Sequence, residues 1–142
     1  MNIDKKYLHP TYEAGRDLAL KNIQGSIVNL NLIRLKEIAD YSDFPKIAPV
    51  SKISGYDAFM QYIQLAKPFV EQGGGEILFI GKGDHFLIGP QDEQWHICML
   101  IRQKSVSDFF AFEQNPGYMQ IVGHRSAAIL DSRLLPLEIA LL

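Results

Sequence analysis

"SIVNLNLIRL", residues 26–35, alternates with a period of two. Val28, Leu30 and Leu32 fall on one face of an extended strand, and Asn29 and Asn31 on the other. A strand that opens a core with two amides on one face poses two questions. One is what covers each face, and the other is what the amides bind.

Upstream, Thr11 to about Ile23 predicts a helix. Thr11 suits its N-cap, Glu13 its positive end and Gly25 its stop, with Tyr12, Gly15, Ala19 and Ile23 at helical spacing. Downstream, Lys36 to Ser54 has no period and contains Pro45 and Pro49, which predicts a long loop, mobile or acting as a flap. Ser54 with Asp57 forms a capping pattern, and Tyr56, Phe59, Ile63, Ala66 and Val70 follow at spacings of three and four. Pro68 should loosen the last turn of that helix, and Gly73 to Gly75 should end it.

"EILFIGKGDHFLIGP", residues 76–90, predicts a hairpin or a bent strand. "WHICMLIR", residues 95–102, predicts a strand apolar on both faces. Ser105 and Asp108 open a helix through Phe109, Phe110 and Phe112. Asn115-Pro116 then breaks it and starts another carrying Tyr118, Ile121, Val122 and Arg125. "SRLLPLEI", residues 132–139, closes the pattern as a strand whose Pro136 suits an edge.

From Ser26 the order is β-α-β-β-α-β, an α+β, ferredoxin-like arrangement with an added N-terminal helix. The expected organisation is one domain over 1–142, with the helix at 11–25 and the ferredoxin-like core at 26–139. Two helices cover one face of the sheet only. Strands apolar on both faces then call for a second copy of the chain, so a homodimer is expected.

Composition narrows the class. A chain of 142 residues with 47% hydrophobic content suits one globular domain with its own core. A net charge of -2 leaves no basic stripe for a nucleic-acid backbone. No apolar run reaches membrane-spanning length, and "MNIDKKYLHP" has no apolar segment behind its charges, so a cytoplasmic protein is expected. Cys98 stands alone inside an apolar run and reads as a small buried hydrophobe.

Taken together, "NLNLIR" (29–34), "GGGEILFIGKG" (73–83), "FLIGP" (86–90), Trp95 before an apolar strand, "FFAFEQNPGY" (109–118) and "GHRSAAILDSRLLPL" (123–137) resemble the domain-of-unknown-function family thirteen-thirty. That family belongs to the dimeric α/β-barrel group of ferredoxin-like proteins. The resemblance runs from about Thr11 to Leu137. It implies a homodimer whose two sheets form a barrel, and it implies no activity. Wider relatives in that group include cofactor-free monooxygenases and lactone isomerases, and fold alone does not choose among them.

Two readings of function stand side by side. In the first, the chain is a cofactor-free enzyme, of monooxygenase or isomerase type, acting on a small organic molecule. Asn29 or Asn31 would hold a carbonyl or enolate oxygen of the substrate. His124, Ala128 and Asp131 fall at helical spacing if their helix persists, so Asp131 would poise His124 to move a proton. In the second, the chain is a non-catalytic ligand-binding dimer. In either, Asn31, Arg125, Tyr118 and Trp95 are the candidate ligand contacts. The plainer alternative puts His124 and Arg125 in the last turns of a helix, with Asp131 capping the turn into a strand. Some barrel monooxygenases use an Asn and a Trp, but the position of Trp95 matches no such motif. His85 and His96 read as structural. The histidines show no metal-ligand spacing, "GKGDHFLIG" lacks nucleotide-loop spacing, and no serine stands in a nucleophile elbow. Neither metal nor cofactor is expected.

Overall fold

The computed structural model describes residues 5–140. Strand β1 (Ile27–Leu35) lies at the centre of a four-stranded antiparallel sheet with β2 (Glu76–Lys82), β3 (Ile97–Gln103) and β4 (Ile129–Glu138), in the order β2-β3-β1-β4. This is the ferredoxin-like α+β arrangement. Pro136 sits on β4, an edge strand, where its missing N–H leaves no ladder bond unmade.

The alternation in β1 resolves in one direction. Ile27, Asn29, Asn31, Ile33 and Leu35 are buried, and the residues between them are only half-buried. Ile33 and Leu35 join Phe59, Tyr62, Ile63 and Ala66 of helix α2 (Gly55–Gln72) and Ile97 and Met99 of β3 in the main core. The amides therefore face the helices. Val28, Leu30 and Leu32 face the other way, where no element of the chain covers them among the described residues. On that face Leu30 lies between Leu100 and Leu135, Val28 between Arg102 and Leu137, and Leu32 between Cys98 and Arg133, with Phe79 beyond Leu100 on the edge strand.

Helix α2 starts as its capping pattern predicts, with Ser54 Oγ accepting from the Asp57 N–H at 3.0 Å. Tyr62 takes the buried place on its stripe, and Tyr56 stays exposed. Pro68 lies inside α2 without ending it. Pro68 and Gln64 are both on the solvent side, where water can satisfy the carbonyl that the proline leaves free. Helix α1 (Tyr12–Leu20) is capped by Thr11 but buries no residue. Tyr12 is exposed, and the contacts come instead from Leu18 and Ile23, against Ile27, Val106 and Phe109. The helix stops short of Ile23, because Asn22 and Gly25 turn left-handed at φ 51° and 78°.

Two expectations are corrected here. "FLIGP" forms no strand: β2 ends at Lys82, and only an isolated bridge, His85 to Gln94, extends the hairpin before β3. β3 already has its two neighbours, so the second apolar run finds no open edge there, and Leu87 and Ile88 stand in solvent. The helix from Asn115 also does not reach Arg125 unbroken. After α3 (Val106–Glu113) it divides at Val122 into α4 (Pro116–Ile121) and α5 (Gly123–Ala128). The Lys36 N–H then takes the Ala128 carbonyl at 2.9 Å and β4 begins, so Asp131 lies on a strand.

The loop from Lys36 to Ser54 is tied at its neck. Ala39 N–H donates to Ile53 O, Gly55 N–H to Glu37 O and Asp40 N–H to Ala127 O. Tyr41 is buried from this loop, and Phe44 and Ile47 pack on the core.

Candidate functional site

The stretch Gly123 to Leu137 holds six polar side chains, and three of them grip the N-terminal segment. Tyr7 N–H donates to Asp131 Oδ1 at 2.8 Å, Ser132 Oγ donates to the Tyr7 carbonyl at 2.5 Å, and Arg125 Nη1 donates to the Leu8 carbonyl at 2.9 Å. Asp131 Oδ1 also accepts from Ser132 N–H and pairs with Arg133 Nη1 at 2.8 Å. The Arg133 guanidinium lies 4.7 Å from the Tyr7 ring centre and 5.0 Å from that of Trp95. Arg133 thus stacks between two aromatic faces while its charge meets a buried carboxylate. Trp95, a predicted ligand contact, serves this stack and donates from Nε1 to Glu93 at 3.0 Å.

His124 is not paired with Asp131. Its Nδ1 meets the Tyr41 hydroxyl at 2.7 Å, both residues being buried. The expected pairing required one continuous helix, and the break before β4 sends the two side chains to different partners. Burial pushes the His124 pKa below 6.5 and that of Tyr41 above 10.0. Burial does the same to His96, helped by the charge of Arg34 and opposed by that of Asp84.

The folded state holds both imidazoles neutral, so as pH falls the unfolded chain binds their protons first. Their contribution is whole above about pH 6.5 and is lost as pH falls through the lower folded values. Glu113 opposes it, since burial raises its pKa above 4.5 and protonation relieves a buried charge. Denaturant melts are therefore expected to show stability falling from pH 7.5 to 5.5. His124→Phe should flatten that slope and cost about 1–2 kcal/mol at pH 7.5, the price of leaving the Tyr41 hydroxyl unpartnered. A slope unchanged in His124→Phe would show that His124 does not carry it.

The second polar group lies under the helices. Tyr62 and Tyr118 share a hydrogen bond at 2.7 Å between their hydroxyls, and burial pushes both phenols well above their ordinary range. Arg125 is close enough to favour the charged forms of Tyr62, Tyr118 and Glu113. Its second nitrogen, Nη2, reaches Ser132 Oγ at 3.5 Å. Asn31 and Asn29 lie on the face of β1 that the helices cover, with Asn31 Nδ2 donating to the Asn29 carbonyl at 3.3 Å. Gln103 on β3 shares the face, one step diagonal to Asn29. Asn29 Oδ1 and Gln103 Oε1 are fully buried and accept no hydrogen bond.

The structure therefore brings Arg125 and Tyr118 together and puts Asn29 and Asn31 on the same covered face. It sends His124, Asp131 and Trp95 elsewhere. Tyr62, Gln103, Glu113 and Tyr41 were missed. Tyr62 was open to recognition at three residues beyond Phe59, but Tyr41 and Gln103 carry no local signal. Among the described residues no group of three His, Cys, Asp or Glu side chains is placed to hold a metal ion. Among the described residues no helix is long and apolar enough to cross a membrane.

The fold and this buried polar seam define an α+β protein of the ferredoxin-like class. The crystal structure of the RPA0582 protein of unknown function from Rhodopseudomonas palustris is 32% identical to it, with 96% of this chain and 98% of that one covered and a TM-score of 0.83. A methylated form of RPA0582 aligns at 33% identity over 95% and 96% of the two chains, with a TM-score of 0.82. A Dabb-family protein with a ferredoxin-like fold, from Mesorhizobium loti, aligns at 14% identity over 83% of this chain and 99% of that one, with a TM-score of 0.46. No family model and no curated protein matches the chain. The chain belongs to the family of the Rhodopseudomonas palustris protein.

Proposed function

We propose that the chain acts as a homodimer that binds a small organic molecule in the seam between sheet and helices, without catalysing its conversion. One observation carries this: two side-chain oxygens, Asn29 Oδ1 and Gln103 Oε1, lie buried without a donor. Native proteins rarely leave such groups unpaired, because each costs about 1–3 kcal/mol. A molecule with hydrogen-bond donors would satisfy both. Asn31, Tyr118 and Arg125 are the further contacts.

The cofactor-free enzyme reading has less behind it. His124 is engaged by Tyr41 and Asp131 by Tyr7, Ser132 and Arg133, so neither is free to pass a proton to the other. Dimerisation through the uncovered sheet face is supported by the apolar residues at its middle, Val28, Leu30, Leu32, Leu100, Leu135 and Phe79. The motifs of residues 29–34, 73–83 and 123–137 support placing this family within domain-of-unknown-function thirteen-thirty. The lone Cys98 is consistent with a cytoplasmic setting.

Native mass spectrometry of the purified protein tests the seam. A small adduct mass is expected on the wild-type chain and is expected to disappear in Asn29→Leu and Gln103→Leu. Absence of any adduct, with Asn29→Leu more stable by about 1 kcal/mol, would mean the oxygens are simply unpartnered, and the binding proposal would fall.

A further inference from the structure

At the other end of β1, roughly 20 Å from Asn29 at strand spacing, lies an open depression of about 490 Å³. It forms where β1 and β2 finish and where β3 and α2 begin. Lys36, Lys82, His96, Tyr56 and Ser54 line it, with Glu37 as its acidic member. We infer that this depression binds a small oxyanion, the carboxylate or phosphate group of a metabolite, at a site separate from the seam.

The chemistry of His96 is the first support. Its Nδ1 accepts the Leu35 N–H at 2.8 Å. A neutral imidazole whose Nδ1 is an acceptor must carry its proton on Nε2. His96 therefore offers a donor of fixed tautomer, and no group among the described residues accepts from it. A protonated ring would have to surrender the Leu35 bond, so the neutral form is the one this geometry holds.

The lysines are the second support. Neither Lys36 nor Lys82 has a carboxylate oxygen within 4.0 Å among the described residues. Lys82 Nζ is instead held 4.9 Å above the Tyr56 ring centre, which positions the charge beside the depression. Two lysines and an imidazole N–H around one depression converge as donors, with Glu37 in the lining, Asp40 near Lys36 and Asp84 near His96 offsetting part of the charge. The N-terminus of the eighteen-residue α2, with Ser54 as its cap and Tyr56 in its first turn, adds the positive end of its dipole. A phosphate or carboxylate uses all of these groups. A cation or an apolar molecule uses none of them.

The test is NMR titration of the full chain with sodium phosphate and, separately, sodium acetate, at ionic strength held constant with sodium chloride. Saturable shifts of the His96 Nε2–H and of the Gly55 and Tyr56 amides are expected, with millimolar affinity. Lys82→Gln and Lys36→Gln should each weaken binding at least fivefold. Lys82 is exposed, so its variant should fold, and an unchanged spectral dispersion would establish that. Saturation by phosphate alone selects a phosphate ligand, and by acetate alone a carboxylate. Shifts that grow linearly, that match those in chloride, or that persist undiminished in both lysine variants would overturn the site. Asn29→Leu, which removes the seam acceptor, should leave the titration unchanged, so the two binding proposals stand or fall separately.

Discussion

Replacing Leu30 with aspartate is expected to turn a dimer into a monomer while leaving the fold of each chain intact. Leu30 pairs with Leu100 and Leu135 at the middle of the sheet, on the face away from the helices. It belongs to neither of the two packed core clusters, so the monomer loses little by the change. In a two-fold interface the same position occurs twice, and each carboxylate would enter an apolar contact without a partner. Burial of an unpaired charge is unfavourable by several kcal/mol, so the dimer dissociation constant should rise by roughly a thousandfold or more. Light scattering at micromolar concentration should give a dimeric mass for the wild type and 16.1 kDa for the variant. A wild-type chain that scatters at 16.1 kDa would remove the homodimer from the proposal. The circular dichroism of the variant should match that of the wild type, because nothing on the helix side has changed.

Gly55→Ala is expected to be the most damaging small substitution in the chain. A Cβ there would lie 2.0 Å from the Lys36 carbonyl oxygen, 2.9 Å from its carbon and 3.0 Å from the Ala128 oxygen. All three are backbone atoms, and the Ala128 oxygen is pinned. The Lys36 amide holds the Ala128 carbonyl, and the Gly55 amide holds that of Glu37. The end of β1, the start of α2 and the end of α5 therefore meet at a point that admits no methyl group. Overpacking against fixed backbone should lower stability by about 3 kcal/mol, which for a chain of this length is a melting-temperature loss of about 10 °C. Gly15→Ala provides the contrast. Nothing lies within 4 Å of a Cβ at that position of α1, so the usual helix preference should add about 0.5–1 kcal/mol. Thermal melts of the two variants should move in opposite directions. A Gly55→Ala protein as stable as the wild type would mean that the three elements do not pack this closely.

How far the site could be read from the sequence follows from how local each signal is. Arg125 and Tyr118 do come together beneath the helices, although the reason offered, a shared helix stripe, fails at Val122. The two asparagines were recognised as amides on one strand face. The pairing of His124 with Asp131 assumed that helical spacing outlasts residue 128, and the ladder with β1 takes over at Ile129. The true partners, Tyr41 for His124 and Tyr7 for Asp131, lie 83 and 124 residues away along the chain. No spacing rule reaches that far.

The sequence by itself determined the four strands, the starts of α1 to α4 and the order in which they follow. Ser54, Ser105 and Asn115 cap helices where their patterns say they should, because capping is a bond between residues two or three apart. Period-two alternation in 26–35 is likewise a property of one strand, and βαββαβ follows from the succession of such segments. Tertiary structure alone decided which face of β1 meets the helices. The apolar side was open to either assignment, since Leu30 can pack on a helix or on a second sheet. The helices took the side with Ile27, Ile33 and Leu35, and Asn29 and Asn31 went under with them. Burial of Ile27, Ile33 and Leu35 among the helices accompanied the desolvation of two amides, and it left Asn29 Oδ1 and Gln103 Oε1 without protein partners. That balance is struck between surfaces that meet only in the folded chain, so no single stretch of sequence contains it.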